Sequence, residues 1–238
     1  VFVNDEVSGP VVAALARAGV RHVLLRCTGW NNVDLAAADA AGIDVVRVPG
    51  YSPEAVAEHC TGLLLMLARH LHKAYNRVRE GNFSLEGLLG TTLAGRTVGV
   101  VGTGAIGRAF CRIMRGFDCA VLATDPVEDA GCVAMGVRYV GLDELLRASD
   151  VVALHCPLTP ATRHTIDAGA LRLVKPGAIL LNTSRGALID TRAVIGALKS
   201  RRLGALGIDV YEEEGDYFFE DFSGGIIEDD VLARLMTF

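Results

Sequence analysis

Short apolar runs alternate with amphipathic stretches along almost the whole chain. Residues 23–25 and 45–48 read as strands, and 11–18 and 35–41 as the helices beside them. Pro53 then opens a helical stretch reaching about residue 79, proline being accepted at a first helical position. Gly81, Asn82 and Ser84 break it. A second series starts at Gly95. Strands are expected over 98–101, 120–124, 137–140, 151–154, 178–182 and 205–208, with helices over 105–115, 142–148 and 191–200, and one more helical pattern at 231–235. Strands made of consecutive apolar residues are buried on both faces. Their alternation with helices predicts an α/β fold with a doubly wound parallel sheet. Two units are expected: 1–50, a partial smaller α/β domain, and 51–238, a larger domain entered through the long helix.

Composition narrows the class. Of 238 residues, 51% are hydrophobic and 21% charged, which suits a packed globular core and excludes a disordered chain. The net charge of −5 leaves no basic excess for phosphates, so no nucleic acid partner is expected. The densest basic cluster, Lys199, Arg201 and Arg202, reads as a solvated helix end. The longest apolar run, 63–68, is too short to cross a bilayer, so no membrane association is expected. Six cysteines lack any CxxC or His/Cys metal spacing. They read as small buried hydrophobes of a reducing, cytoplasmic setting, with no metal site. Val1-Phe2-Val3 is already strand-like and 231–235 is helical, so both ends are expected to cut through folded domains.

Gly102-Thr103-Gly104-Ala105-Ile106-Gly107 is a GxGxxG sequence between an expected strand and an expected helix. Gly102 would allow the tight turn, Gly104 a close backbone approach to a pyrophosphate, and Gly107 close packing of helix on strand. The free amides of the helix start, with Ala105 and Ile106, would face the phosphates. Asp125 follows Gly107 by eighteen residues, at the end of the next strand. Its carboxylate would accept from ribose hydroxyls and repel a 2′-phosphate, so the expected cofactor is NAD rather than NADP.

Four further segments complete a pattern: Tyr51-Ser52-Pro53-Glu54-Ala55-Val56-Ala57-Glu58, His155-Cys156-Pro157-Leu158-Thr159, Asn182-Thr183-Ser184-Arg185-Gly186 and Asp209-Val210-Tyr211-Glu212. With the glycine motif they resemble the D-isomer-specific 2-hydroxyacid dehydrogenase family. The segments around Phe83 and Phe218 resemble its D-lactate branch. The resemblance implies a Rossmann domain with a flavodoxin-like partner domain, and an oxidoreductase passing hydride between NADH and a 2-oxo acid, pyruvate to D-lactate. It assigns Arg185 to the substrate, where a guanidinium fork matches a coplanar carboxylate and carbonyl. It assigns Glu214, chosen from the run Glu212-Glu213-Glu214 by family spacing, as partner of a catalytic histidine. His155, Cys156, Pro157, Thr183, Ser184 and Asp209 are expected to line the cofactor site. Cys27, Thr28, Gly29 and Tyr51 are expected at the substrate.

Reduction of a keto carbon leaves an alkoxide that needs a proton, usually from histidine near neutral pH. The family's histidine lies after the next strand, so it is expected beyond Phe238. His22, His59, His70, His72, His155 and His164 do not occupy the corresponding place. A chain of these residues is therefore expected to be inactive while still binding NAD. A homodimer built through the larger domain is expected. Two rivals stay open: a dehydrogenase for another D-2-hydroxy acid, and a non-catalytic NAD-binding regulatory module.

Overall fold

The computed structural model describes residues 1–3, 5–50, 52–217 and 220–238. The chain forms two units, one built on Val1–Ser52 and one on Pro53–Glu214 with Glu220–Phe238. In the first, helix α1 (Gly9–Arg17), strand β1 (His22–Leu25), helix α2 (Leu35–Ala40) and strand β2 (Asp44–Arg47) form a small α/β layer. β1 and β2 pair in parallel, and Val12, Val23, Leu25, Ala38 and Ile43 fill its core.

The second unit begins with α3 (Pro53–Ala68) and α4 (Leu71–Arg79). The sequence pattern predicts one continuous helix here, and the structure divides it. Thr91 returns to donate its amide to the Ala68 carbonyl at 2.7 Å, and His70 takes a left-handed conformation (φ 52°) that restarts the helix in a new direction. β3 (Thr97–Val101), α5 (Ala105–Gly116), β4 (Ala120–Thr124), α6 (Ala130–Ala134) and β5 (Arg138–Tyr139) follow. After them come α7 (Leu142–Ala148), β6 (Val151–Leu154), α8 (Ala168–Leu173), β7 (Ala178–Asn182), α9 (Thr191–Lys199), β8 (Leu203–Ile208) and α10 (Asp230–Leu235). Helices α6 and α8 are not foreseen from the sequence. Each is a single short turn-and-a-half whose only local signal is its cap, Asp129 accepting from Cys132 and Asp167 from Ala170.

The six strands of this unit are all parallel, in the order β5-β4-β3-β6-β7-β8. The chain runs outward from β3 in one direction, then returns to lay β6 on its other side. That reversal opens a crevice beyond the carboxyl ends of β3 and β6, where open α/β sheets bind ligands. Val98, Val100, Val152, Ala153, Leu154, Leu180 and Leu181 bury the strands on both faces. Ala57, Cys60, Leu64 and Ala68 press α3 onto α5 and the β7–β8 side of the sheet. Gly207 permits the close fit there, since a β-carbon at that position would lie 2.8 Å from Leu181 and 3.1 Å from Leu67.

His155, just past β6, turns its imidazole inward against Phe110 of α5, ring centroids 5.0 Å apart. Both ring nitrogens are shielded from solvent and have no hydrogen-bond partner among the described residues. Burial pushes its pKa from 6.5 down to about 4. The folded state thus favours neutral imidazole. This contribution to stability is complete above pH 6.5 and is lost progressively as pH falls from 6.5 toward 4. Unfolding midpoints in urea at pH 7 and pH 5 should therefore differ more for the wild type than for His155→Leu; identical pH slopes for the two proteins would refute this account.

Candidate active site

The carboxyl ends of the parallel strands bring one set of loops to one edge of the larger unit. β3 ends in Gly102, whose φ of +94° suits glycine, and whose amide donates to the Thr124 carbonyl at 2.9 Å. A β-carbon on Gly102 would meet the Cys156 backbone nitrogen at 2.6 Å, and one on Gly107 would meet the Gly102 carbonyl oxygen at 2.0 Å. Around Gly104, by contrast, the space beside a β-carbon is open to 4 Å. Helix α5 starts there with no side chain capping its N-terminus, leaving the amides beside Ala105 and Ile106 available. The turn is thus packed tightly where helix meets strand and open where an anion would rest, which is the shape a dinucleotide pyrophosphate requires.

Asp125 follows β4. One carboxylate oxygen accepts from the Thr103 amide at 2.7 Å, the other from Val127 at 3.0 Å. Two amides fix the group beside the glycine turn, and each oxygen retains a lone pair for a hydroxyl donor. Sequence reasoning missed the brace behind it. The Tyr139 hydroxyl donates to Thr103 Oγ1 and accepts from the Asp129 amide, both at 2.9 Å. Tyr139 lies on β5, and nothing in local spacing connects it to the turn.

The loops after β6 and β7 are stitched together. The Cys156 carbonyl accepts from Ser184 Oγ at 2.7 Å, and burial raises the Cys156 thiol to about 11, which makes it a packing group. Pro157 is exposed, its carbonyl accepting from Thr162. Asn182 is fully buried and shapes the next loop: its amide nitrogen donates to the Arg185 carbonyl at 2.8 Å while its oxygen accepts from the Ser184 amide at 3.2 Å. Thr183 is buried beside Cys60. Arg185, half-buried, donates to the Ser184 carbonyl at 2.8 Å and has no carboxylate partner among the described residues. Gly186 then runs directly against the next loop, since a β-carbon there would lie 2.1 Å from the Tyr211 carbonyl carbon.

Past β8, Asp209 lies 3.4 Å from His59 Nε2 of α3. Burial raises its carboxyl, and His59 and a backbone amide oppose the rise. The pairing of His59 with Asp209 across 150 residues has no local signature in the sequence. Glu214 folds back to accept the Tyr211 amide at 2.8 Å, whereas Glu213 faces solvent. In the first unit, Cys27 Sγ donates to the Gly29 carbonyl at 3.2 Å and Arg47 donates to the Thr28 carbonyl at 2.7 Å, which holds the Cys27-Thr28-Gly29 loop in one shape. Tyr51 lies outside the described residues.

A hollow of about 770 Å³ lies at the opposite edge of the sheet, between α8 and α9, walled by Arg172, Arg201 and Arg202. Arg202 donates to the carbonyls of Leu171 and Arg172 at the end of α8. Cations belong at helix carboxyl ends, so helix termini account for these arginines.

Residues 61–231 match the family model described as D-isomer specific 2-hydroxyacid dehydrogenase, NAD binding domain. The chain is 53% identical over 235 residues to a D-lactate dehydrogenase of Escherichia coli, covering 99% of this chain and 71% of that one. It is 56% identical over 238 residues to 2-hydroxyacid dehydrogenase A of Aspergillus oryzae, covering 100% and 68%. Among solved structures, the D-lactate dehydrogenase of Aquifex aeolicus complexed with NAD and lactic acid aligns with a TM-score of 0.91 at 34% identity, over 99% of this chain and 70% of that one. The pyruvate reductase of Chlamydomonas reinhardtii aligns with a TM-score of 0.90 at 48% identity, over 100% and 72%. With the family model matched over residues 61–231 and relatives more than half identical along nearly its whole length, the chain belongs to the D-isomer specific 2-hydroxyacid dehydrogenase family.

Proposed function

We propose that the chain serves NADH-dependent reduction of a small 2-oxo acid, pyruvate in the first instance, to the D-hydroxy acid. The observation that carries this reading is Arg185. Among the described residues it has no acidic partner, and it lies on the same sheet edge as a turn shaped for a dinucleotide. NADH supplies the hydride when bound. The amides at the start of α5 hold its pyrophosphate, Asp125 takes the ribose hydroxyls, and Asp209 with the Thr183-Ser184 loop receives the nicotinamide carboxamide. His155, Cys156 and Pro157 form the adjoining wall through their backbone, the imidazole being turned inward.

The Arg185 guanidinium orients the substrate by two parallel N–H contacts and stabilises the negative charge that grows on the carbonyl oxygen as hydride arrives. The family resemblance assigns Cys27, Thr28, Gly29 and Tyr51 to the substrate as well. Glu214 orients an imidazole that gives the proton. No histidine among the described residues is bonded to Glu214: His59 pairs with Asp209, His164 with Glu212, and the His155 nitrogens are sealed. Six buried thiols without a disulfide suit a reducing, cytoplasmic setting.

We also propose a homodimer through the larger unit. Leu71, Tyr75 and Val78 form one exposed stripe on α4, and Phe83, Leu85 and Leu89 on the following loop are more exposed still, Leu89 at 94%. Arg77 donates to the carbonyls of Ser84 and Glu86 and so pins that loop to the helix. Large apolar side chains exposed on a helix and on the loop tied to it support an interface.

Three outcomes are expected. The NADH-loaded chain should bind oxamate, the amide analogue of pyruvate, and Arg185→Lys should weaken that binding by roughly tenfold to a hundredfold without changing NADH affinity, since an ammonium cannot make the forked contact. Equal oxamate affinity would refute the role. These 238 residues should oxidise NADH with pyruvate at far below the ~10 s⁻¹ typical of enzymes; turnover at an ordinary dehydrogenase rate would show that the proton donor lies within them. Sedimentation should give a dimer, and Leu85→Asp with Leu89→Asp a folded monomer. A monomeric wild type, or a dimer that survives both charges, would contradict the interface.

A further inference from the structure

Glu212 stands in a run of three acids, a pattern that ordinarily means solvated loop. Its carboxylate is instead largely withdrawn from solvent. One oxygen takes His164 Nε2 at 2.6 Å and Arg163 Nη2 at 2.9 Å, the other lies 3.5 Å from Thr191 Oγ1, and the side chain is only 18% exposed. Arg163 and His164 come from the loop after β6, and Thr191 opens α9, just past the Arg185 loop. His164 is held at φ 50°, a left-handed conformation that side-chain-bearing residues seldom adopt without surrounding restraint. The restraint is visible on both sides. Its amide donates to the Ala187 carbonyl at 2.9 Å, and the Ile166 amide donates to Leu188 at 3.1 Å, so the segment is tied to the residues immediately after Arg185-Gly186. Its imidazole is tied to Glu212. The third side of the triangle is the backbone contact of Gly186 with Tyr211 and Glu212. Glu214, two residues farther on, takes its own bond from the Tyr211 amide.

We propose that Glu212 is a positioning residue: through His164 and Arg163 it fixes the spacing between Arg185 and Glu214 while touching neither substrate nor cofactor. The proposal rests on the function assigned above, in which Arg185 and Glu214 are the groups whose relative placement matters. A shift of about 1 Å in such a pair is enough to cost a large factor in a forked contact. Without Glu212, Arg163 and His164 lose their shared acceptor, and only the backbone bonds to Ala187 and Leu188 still hold the left-handed turn at His164. The Tyr211–Glu214 turn would then keep its bonds within the loop and to Asp229 but lose its side-chain tie to the loop after β6.

The test compares wild type, Glu212→Ala and Glu212→Gln by amide hydrogen exchange, NADH titration and oxamate titration of the NADH-loaded chain. In Glu212→Ala the Tyr211 and His164 amides should exchange roughly tenfold faster, with the amides of β3 and β4 unchanged. Oxamate affinity should fall by about tenfold while NADH affinity holds. Glu212→Gln keeps an oxygen acceptor and should lie between the two. If Glu212→Ala does not fold, Glu212→Gln and His164→Gln give the same comparison. Unchanged Tyr211 exchange in a folded variant overturns the brace itself. Faster exchange in the variant, with no oxamate binding even by the wild type, overturns the functional reading of the site and with it the positioning role.

Discussion

The architecture of this site depends on backbone lying directly on backbone. Gly102 lies so close to Cys156 that any side chain would collide with the peptide, and Gly186 stands in the same relation to Tyr211 and Glu212. These two approaches draw the loops after β3 and β6, and those after β7 and β8, into contact. The parallel sheet delivers every loop to the same edge, but the glycines close the gaps between them. Hydrogen bonds then lock what the missing β-carbons allow: Ser184 to Cys156, Asn182 to both ends of its own loop, and Tyr139 to Thr103.

On that frame the charges divide into two kinds. Asp150 is held by the Thr97 amide, Lys175 and Arg96, and Asp129 pairs with Arg108. These groups are consumed by the fold. Arg185 is not: it donates to a carbonyl, and no carboxylate among the described residues meets its charge. A half-buried guanidinium without a counter-charge is costly to maintain, and an anionic substrate would supply what the protein withholds. Asp209 has a related character, its carboxyl raised by burial despite His59.

Much of this was legible in the sequence because it is local or periodic. The strands at 120–124, 151–154 and 178–182 are apolar runs, the first closing on Thr124 and the last on Asn182, and each appears with the predicted bounds. The glycine motif carries its own geometry, since each glycine answers a separate steric demand. What escaped notice is non-local. The break at His70 depends on Thr91 returning to Ala68. His59 meets Asp209 through the packing of α3, and His164 meets Glu212 across 48 residues. Family spacing singles out Glu214 in the acidic run, but only the folded chain shows that Glu212 accepts from Arg163 and His164 while Glu213 faces solvent.

The central claim is that Arg185 and the nicotinamide serve one bound 2-oxo acid. A crystal structure of the chain with NADH and oxamate tests it most directly. The account predicts both oxamate oxygens on one edge within about 3 Å of the guanidinium, with the carbonyl carbon facing the nicotinamide ring. Oxamate bound elsewhere, with the Arg185 side chain turned to solvent, would contradict it.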